Sequence, residues 1–116
     1  MDRMDSILKS VAKLVGYDND DDNYFDPDLI IHINTVLSIL TQLGVGPSDG
    51  FIITGEDETW NDFIGTDKRL SSVVTYVSCK TKLMFDPPAS SIVLEAMKYT
   101  IAELEFRIQF ESEMNK

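Results

Sequence analysis

The sequence predicts an all-α domain of four helices, and three observations lead there. Apolar residues recur at the three-and-four spacing of a single helical face in four separate segments. Only one run, Phe51-Ile52-Ile53-Thr54, has β character. A rigid corner, Leu83-Met84-Phe85-Asp86-Pro87-Pro88-Ala89-Ser90-Ser91, separates the last two helical segments. Proline fixes its own φ, lacks a donor and pushes the preceding residue out of the α region. One helix must therefore stop near Phe85, and the next starts only after Pro88, with Ser90 or Ser91 capping its free N–H groups.

In the first segment Met4, Ile7, Leu8, Val11, Leu14 and Val15 share a face, and Gly16 closes the helix. Residues 18–23 hold no apolar side chain and read as a solvated loop. Asp26-Pro27 opens the second helix, with Asp26 as N-cap, Pro27 at the first helical position and Asp28 favoured by the helix dipole. Its core arc is Leu29, Ile33, Val36, Leu37, Ile39, Leu40 and Leu43, opposite Asn34, Ser38, Thr41 and Gln42, and Gly44, Gly46 and Pro47 end it.

Residues 45–62 form an irregular loop or short β segment. Its Phe51 to Thr54 run needs a hairpin mate, a neighbouring subunit or an extended-loop conformation, and Trp60 and Phe63 pin its return onto the helices. The third helix spans residues 67–85, with Leu70, Val73, Val74, Val77 and Met84 inward, Tyr76, Cys79 and Leu83 widening that surface, and Ser71, Thr75, Ser78 and Lys82 as the polar strip. The fourth, residues 91–113, carries two stripes. Val93, Met97, Ile101, Leu104 and Ile108 make one; Ile92, Ala96, Tyr99, Phe106 and Phe110 make another, roughly opposite. A terminal helix of a monomeric bundle buries one side, so the second stripe calls for another partner.

Length and composition fit one globular domain spanning residues 1–116, with 43% hydrophobic and 26% charged residues. No apolar run approaches the roughly 18 residues of a membrane span, and the first residues lack the apolar stretch of a signal peptide, so a soluble, intracellularly made protein is expected. The net charge of −10 is unevenly placed: residues 14–67 hold twelve acids and no Lys or Arg. Nucleic-acid gripping, which relies on Lys and Arg displacing counterions, is disfavoured.

No catalytic constellation stands out. Asp18, Asp20 and Asp22 have the opening spacing of a calcium loop, but Asn23 replaces its glycine and Leu29 its bidentate glutamate. The single histidine, His32, and the single cysteine, Cys79, have no local partners for zinc or for nucleophilic catalysis, and Gly44-Val45-Gly46-Pro47 lacks the lysine of a phosphate loop. No cofactor or metal is expected.

Taken in order, Leu29-Ile30-Ile31-His32-Ile33-Asn34, Gln42-Leu43-Gly44-Val45-Gly46-Pro47, Thr59-Trp60-Asn61-Asp62-Phe63, Lys82-Leu83-Met84-Phe85-Asp86-Pro87-Pro88 and Leu94-Glu95-Ala96-Met97 resemble the small helical head-to-tail connector (adaptor) proteins of tailed bacteriophages of Gram-positive bacteria. The resemblance covers residues 5–110. It implies a four-helix connector-type bundle, a non-enzymatic structural protein of the virion neck, made in the host bacterial cytoplasm. It further implies a dodecameric ring beneath the portal protein that continues the DNA channel, passes DNA without binding a specific sequence and receives a head-completion or tail protein. On this resemblance Phe106, Ile108 and Phe110 are candidate subunit or portal contacts, joined by Tyr99 from the second stripe, and Phe51, Ile52 and Ile53 are candidate loop contacts. Asp20, Asp21, Asp22, Glu56, Asp57 and Glu58 are candidates for an acidic channel wall or rim. The alternative is a small acidic regulator that binds a host or phage protein by imitating the charge of nucleic acid.

Overall fold

Several helix ends coincide with short-range signals. In the computed structural model, which describes residues 6–16 and 26–114, the order is α1 (Ile7–Val15), α2 (Asp26–Gln42), α3 (Trp60–Ile64), α4 (Leu70–Phe85) and α5 (Ser91–Met114). Ser6 caps α1 by accepting the Lys9 N–H, and Gly16, at φ 97°, returns its own N–H to the Ala12 and Lys13 carbonyls. That left-handed turn is what the glycine makes accessible. Helix α2 begins at Asp26 itself, one residue earlier than the capping pattern suggested. After Phe85 the chain turns through the two prolines, and Ser90 Oγ accepts the Val93 N–H at 3.3 Å, as its position predicted.

The short α3 is an addition to the four expected helices. Its signal was present in Thr59-Trp60-Asn61-Asp62: the Thr59 hydroxyl accepts the Asp62 N–H, and the Asp62 carboxylate accepts the Thr59 N–H. This reciprocal capping satisfies two orphan donors and makes one turn of helix worth forming.

Helix α4 is the centre of the bundle, packing against α1, α2 and α5. Ile7, Val11, Leu29, Ile33, Val36, Leu37, Leu40, Val73, Tyr76 and Val77 are fully enclosed, together with Val45 and Ile53 from the loop and Ile108 from α5. Each such aliphatic side chain contributes about 1.5–3 kcal/mol by leaving water. Two assignments on α4 change. Ser78, placed on the polar strip, is buried, whereas Leu70, placed in the core, is 38% exposed. A central helix is covered on more sides than one apolar stripe indicates, and Leu70 stands at its first turn, where coverage runs out.

The Phe51 to Thr54 run forms no strand; it stays an extended loop. Among the described residues the only β pairing is an isolated antiparallel bridge between Ser6 and Thr59. The acidic residues 18–23, including Asp20, Asp21 and Asp22, lie outside the described residues.

Candidate interaction surface

Helix α5 is 24 residues long, about 36 Å at 1.5 Å per residue, and leans chiefly on α4. It fully buries only Ile101 and Ile108, with Met97 and Leu104 packed at the core margin. The opposite side is apolar and open: Ile92 is 81% exposed, Tyr99 73% and Phe106 70%, and the row continues through Phe110 and Met114. The Phe106 and Phe110 rings stack with centroids 6.2 Å apart and planes 19° apart. Arg107 and Glu103 pair at 2.7 Å beside them. A row of large apolar side chains along one helix is a contiguous patch, the pattern that marks an interaction surface rather than scattered surface hydrophobics.

Of the four candidate contacts on this helix, the structure gathers Tyr99, Phe106 and Phe110 on the open side. Ile108 is placed differently: it is fully enclosed against the subunit's own core. The reason is angular, because Ile108 is seven residues from Ile101 and shares its inward stripe.

Helix α5 is held by polar contacts that the sequence patterns did not signal. Arg69, 9% exposed, donates through Nε and Nη2 to the Asp67 carboxylate, with Nη2 to Oδ2 at 2.6 Å. It also donates to the Ile108 carbonyl at 3.3 Å, to the Ser112 hydroxyl and to the Gly44 carbonyl at 3.4 Å. One guanidinium thus joins the end of α2, the start of α4 and the last turns of α5, a use of its planar fork of donors that lysine could not reproduce. The Arg69 hydrogen bond holds the Asp67 carboxyl below the usual carboxylate range, and the Asp67 partner raises the guanidinium in turn. Further along, the Tyr76 hydroxyl donates to Glu105 Oε2 at 2.6 Å, and Lys80 approaches the same carboxylate at 3.6 Å. Burial first, then Glu105, pushes the Tyr76 phenol well above its ordinary range. The open stripe is therefore carried on a helix fixed in rotation.

Residues 45–59 form the second surface. Ile53 is buried, and the Asn34 side chain serves as its missing strand partner: Nδ2 donates to the Ile53 carbonyl at 3.0 Å and Oδ1 accepts the Ile53 N–H at 2.8 Å. With Ile53 turned inward, the alternation of an extended chain turns Ile52 outward, where it is 64% exposed. Phe51 is half-buried against Phe63, ring centroids 5.2 Å apart. So of the three loop candidates, Ile52 alone is fully presented.

The far end of the loop is stitched to α1. The Ile7 N–H donates to the Glu58 carbonyl at 3.0 Å, Lys9 pairs with Glu56 at 3.3 Å, and Trp60 Nε1 donates to the buried Ser10 hydroxyl at 2.8 Å. The Glu58 carboxylate accepts from the Thr54 hydroxyl and the Gly55 N–H, which closes the turn and lowers its pKa, the Thr54 bond first. Asp57 is exposed. Glu56 and Glu58 are thus engaged in shaping the loop as well as charging it.

His32 packs edge-on against Phe85 at 5.9 Å. Cys79 is a half-buried free thiol whose pKa is raised by burial. It lines a groove of about 210 Å³ with Leu14, Thr75, Ser78, Lys82 and Met97. Among the described residues no His, Cys, Asp and Glu side chains gather as a metal site, and no helix is long and apolar enough to cross a membrane.

No curated protein and no solved structure matches this chain. A family model described as phage connector protein matches residues 7–115, which takes in all five helices, the Asn34-anchored loop and the open stripe of α5. On that match the chain belongs to the phage connector protein family.

Proposed function

We propose that this protein joins head to tail in the phage neck as a ring beneath the portal, in the manner of adaptors from phages of Gram-positive bacteria. The open stripe of α5 carries this reading. Tyr99, Phe106 and Phe110 expose aromatic surface that a stable free subunit would normally bury, and aromatic side chains anchor protein interfaces. They are the contacts to neighbouring subunits and to the portal, while the outward Ile52 of the loop reaches a neighbour or the tail-side protein. Asp20, Asp21, Asp22, Glu56, Asp57 and Glu58 belong to the channel wall or rim, where negative charge keeps passing DNA from adhering.

The test replaces Phe106 and Phe110 by Ser. Because both are exposed, the urea midpoint should move by no more than about 0.5 kcal/mol equivalent. Co-sedimentation with the portal protein, and rings in electron micrographs of the mixture, should be lost. Wild-type levels of portal binding and ring formation by the folded double variant would refute the assignment.

A further inference from the structure

A cleft of about 340 Å³ opens between α2 and the loop that returns along it. Asn34, Ser38, Thr41 and Gln42, spaced to share one helical face, form its floor, and residues 48–52 form its wall. That wall is pinned at both ends. The Asn34 amide holds Ile53 at one, and at the other the Val45 N–H donates to the Leu40 carbonyl and the Gly50 N–H to the Pro47 carbonyl, each at 3.0 Å. The cleft is therefore preformed, which spares a ligand the cost of ordering it. Its chemistry is one-sided. Asp49 is the only charged residue of the lining, and no Lys or Arg contributes to it. Ser38, Gln42 and Asp49 are exposed, and among the described residues their side chains form no hydrogen bond or ion pair, so their oxygens are open to a donor from outside. Phe51 and Ile52 add an apolar wall.

We propose that this cleft takes the side chain of an arginine presented by the tail-side protein. The identity of that protein rests on the connector reading above; the chemistry of the ligand comes from the cleft. Size allows it, since about 340 Å³ is more than twice the roughly 150 Å³ cavity that holds benzene. The methylene stem suits the wall of Phe51 and Ile52. The guanidinium is opposite in charge to Asp49 and carries five donors in a planar fork, enough to reach several acceptors at once, where lysine offers a point charge. This chain does not supply such a ligand from its described residues: Arg69 is held by Asp67 and Arg107 by Glu103. A partner with exposed arginine is also the kind that a segment of twelve acids without a single base attracts.

Titrating N-acetyl-arginine amide into the free subunit tests recognition without any ring. Amide shifts in NMR spectra should concentrate at Ser38, Gln42 and residues 48–52, and N-acetyl-lysine amide should bind the same place more weakly. Asp49→Asn alters an exposed side chain with no partner in the subunit, so it should keep the urea midpoint while weakening the arginine probe about fivefold. Shifts scattered over other acidic positions, equal binding of the two probes, or unchanged binding by Asp49→Asn would overturn the arginine site. On portal-bound rings, Asp49→Asn should leave the rings intact and lower capture of the phage's tail-side protein by about fivefold, an effect that fades at high salt. Ser38→Phe, which fills the cleft with bulk, should lower capture as well. Unchanged capture by both variants overturns the assignment of the cleft to that protein, and loss of the rings in Asp49→Asn gives the cleft to a neighbouring subunit instead. Failure of the wild-type protein to form rings defeats the connector reading, while the probe titration still decides whether the cleft binds arginine.

Discussion

Replacing Asn34 by Ala isolates the device that turns the loop into a defined surface. The amide makes both hydrogen bonds to the Ile53 backbone, at 2.8 and 3.0 Å, and Ile53 is 1% exposed. Truncation leaves one N–H and one C=O with no partner. Each unsatisfied buried group costs about 1–3 kcal/mol, but the loop can lift and admit water, so the loss should settle near 3 kcal/mol. An unfolding entropy of about 2.1 cal/mol/K per residue gives roughly 0.24 kcal/mol/K for this chain, and hence a fall in Tm of about 12 °C. Asn34→Asp, which keeps an acceptor for the Ile53 N–H and loses the donor to its carbonyl, should fall between wild type and Ala. Urea denaturation measures the loss, and hydrogen exchange locates it: the Ile53 amide should exchange about 100-fold faster in Asn34→Ala if lifting of the loop is the route. A loss under about 0.5 kcal/mol, with Ile53 still protected, would refute the idea that this side chain substitutes for a strand.

Acid stability should report Asp67. Its folded pKa lies below the unfolded value, so its contribution is present above about pH 4 and is lost as pH falls through the lowered folded pKa. Asp67→Asn should be less stable than wild type at neutral pH, the gap closing in acid, as followed by denaturant midpoints across pH. Gly46→Ala should cost about 2–3 kcal/mol, since Gly46 sits at φ 77° and an added Cβ would lie 2.4 Å from the Phe63 ring; thermal unfolding checks it. Changing Glu56, Asp57 and Glu58 to their amides should leave rings on the portal while slowing DNA release. Loss of the rings in micrographs would instead assign these carboxylates to subunit contacts.

The helical architecture was legible because its determinants are local. Gly16, Asp26-Pro27 and the Pro87-Pro88 corner act within a few residues, and apolar periodicity names the face each helix must bury. The same periodicity separated the two stripes of α5, placing Ile108 beside Ile101 and away from Phe106, as the folded chain has them. The one-turn α3 was legible as a capping motif, yet five residues are too few for periodicity to reveal.

What joins distant residues was decided by the tertiary structure alone. Nothing about Asn34 marks it as the partner of Ile53, nineteen residues away, and nothing about Arg69 indicates that it binds Ser112 across the bundle. A polar side chain at a helix position reads as solvent-facing until another element covers it, which is why Ser78 was misplaced. By itself, then, the sequence determined where the helices lie, which stripes are apolar and that α5 has one stripe too many. Which stripe meets α4, which polar groups become buried and which surfaces stay open depend on how the helices stack, and stacking is settled by contacts between residues that local pattern cannot relate.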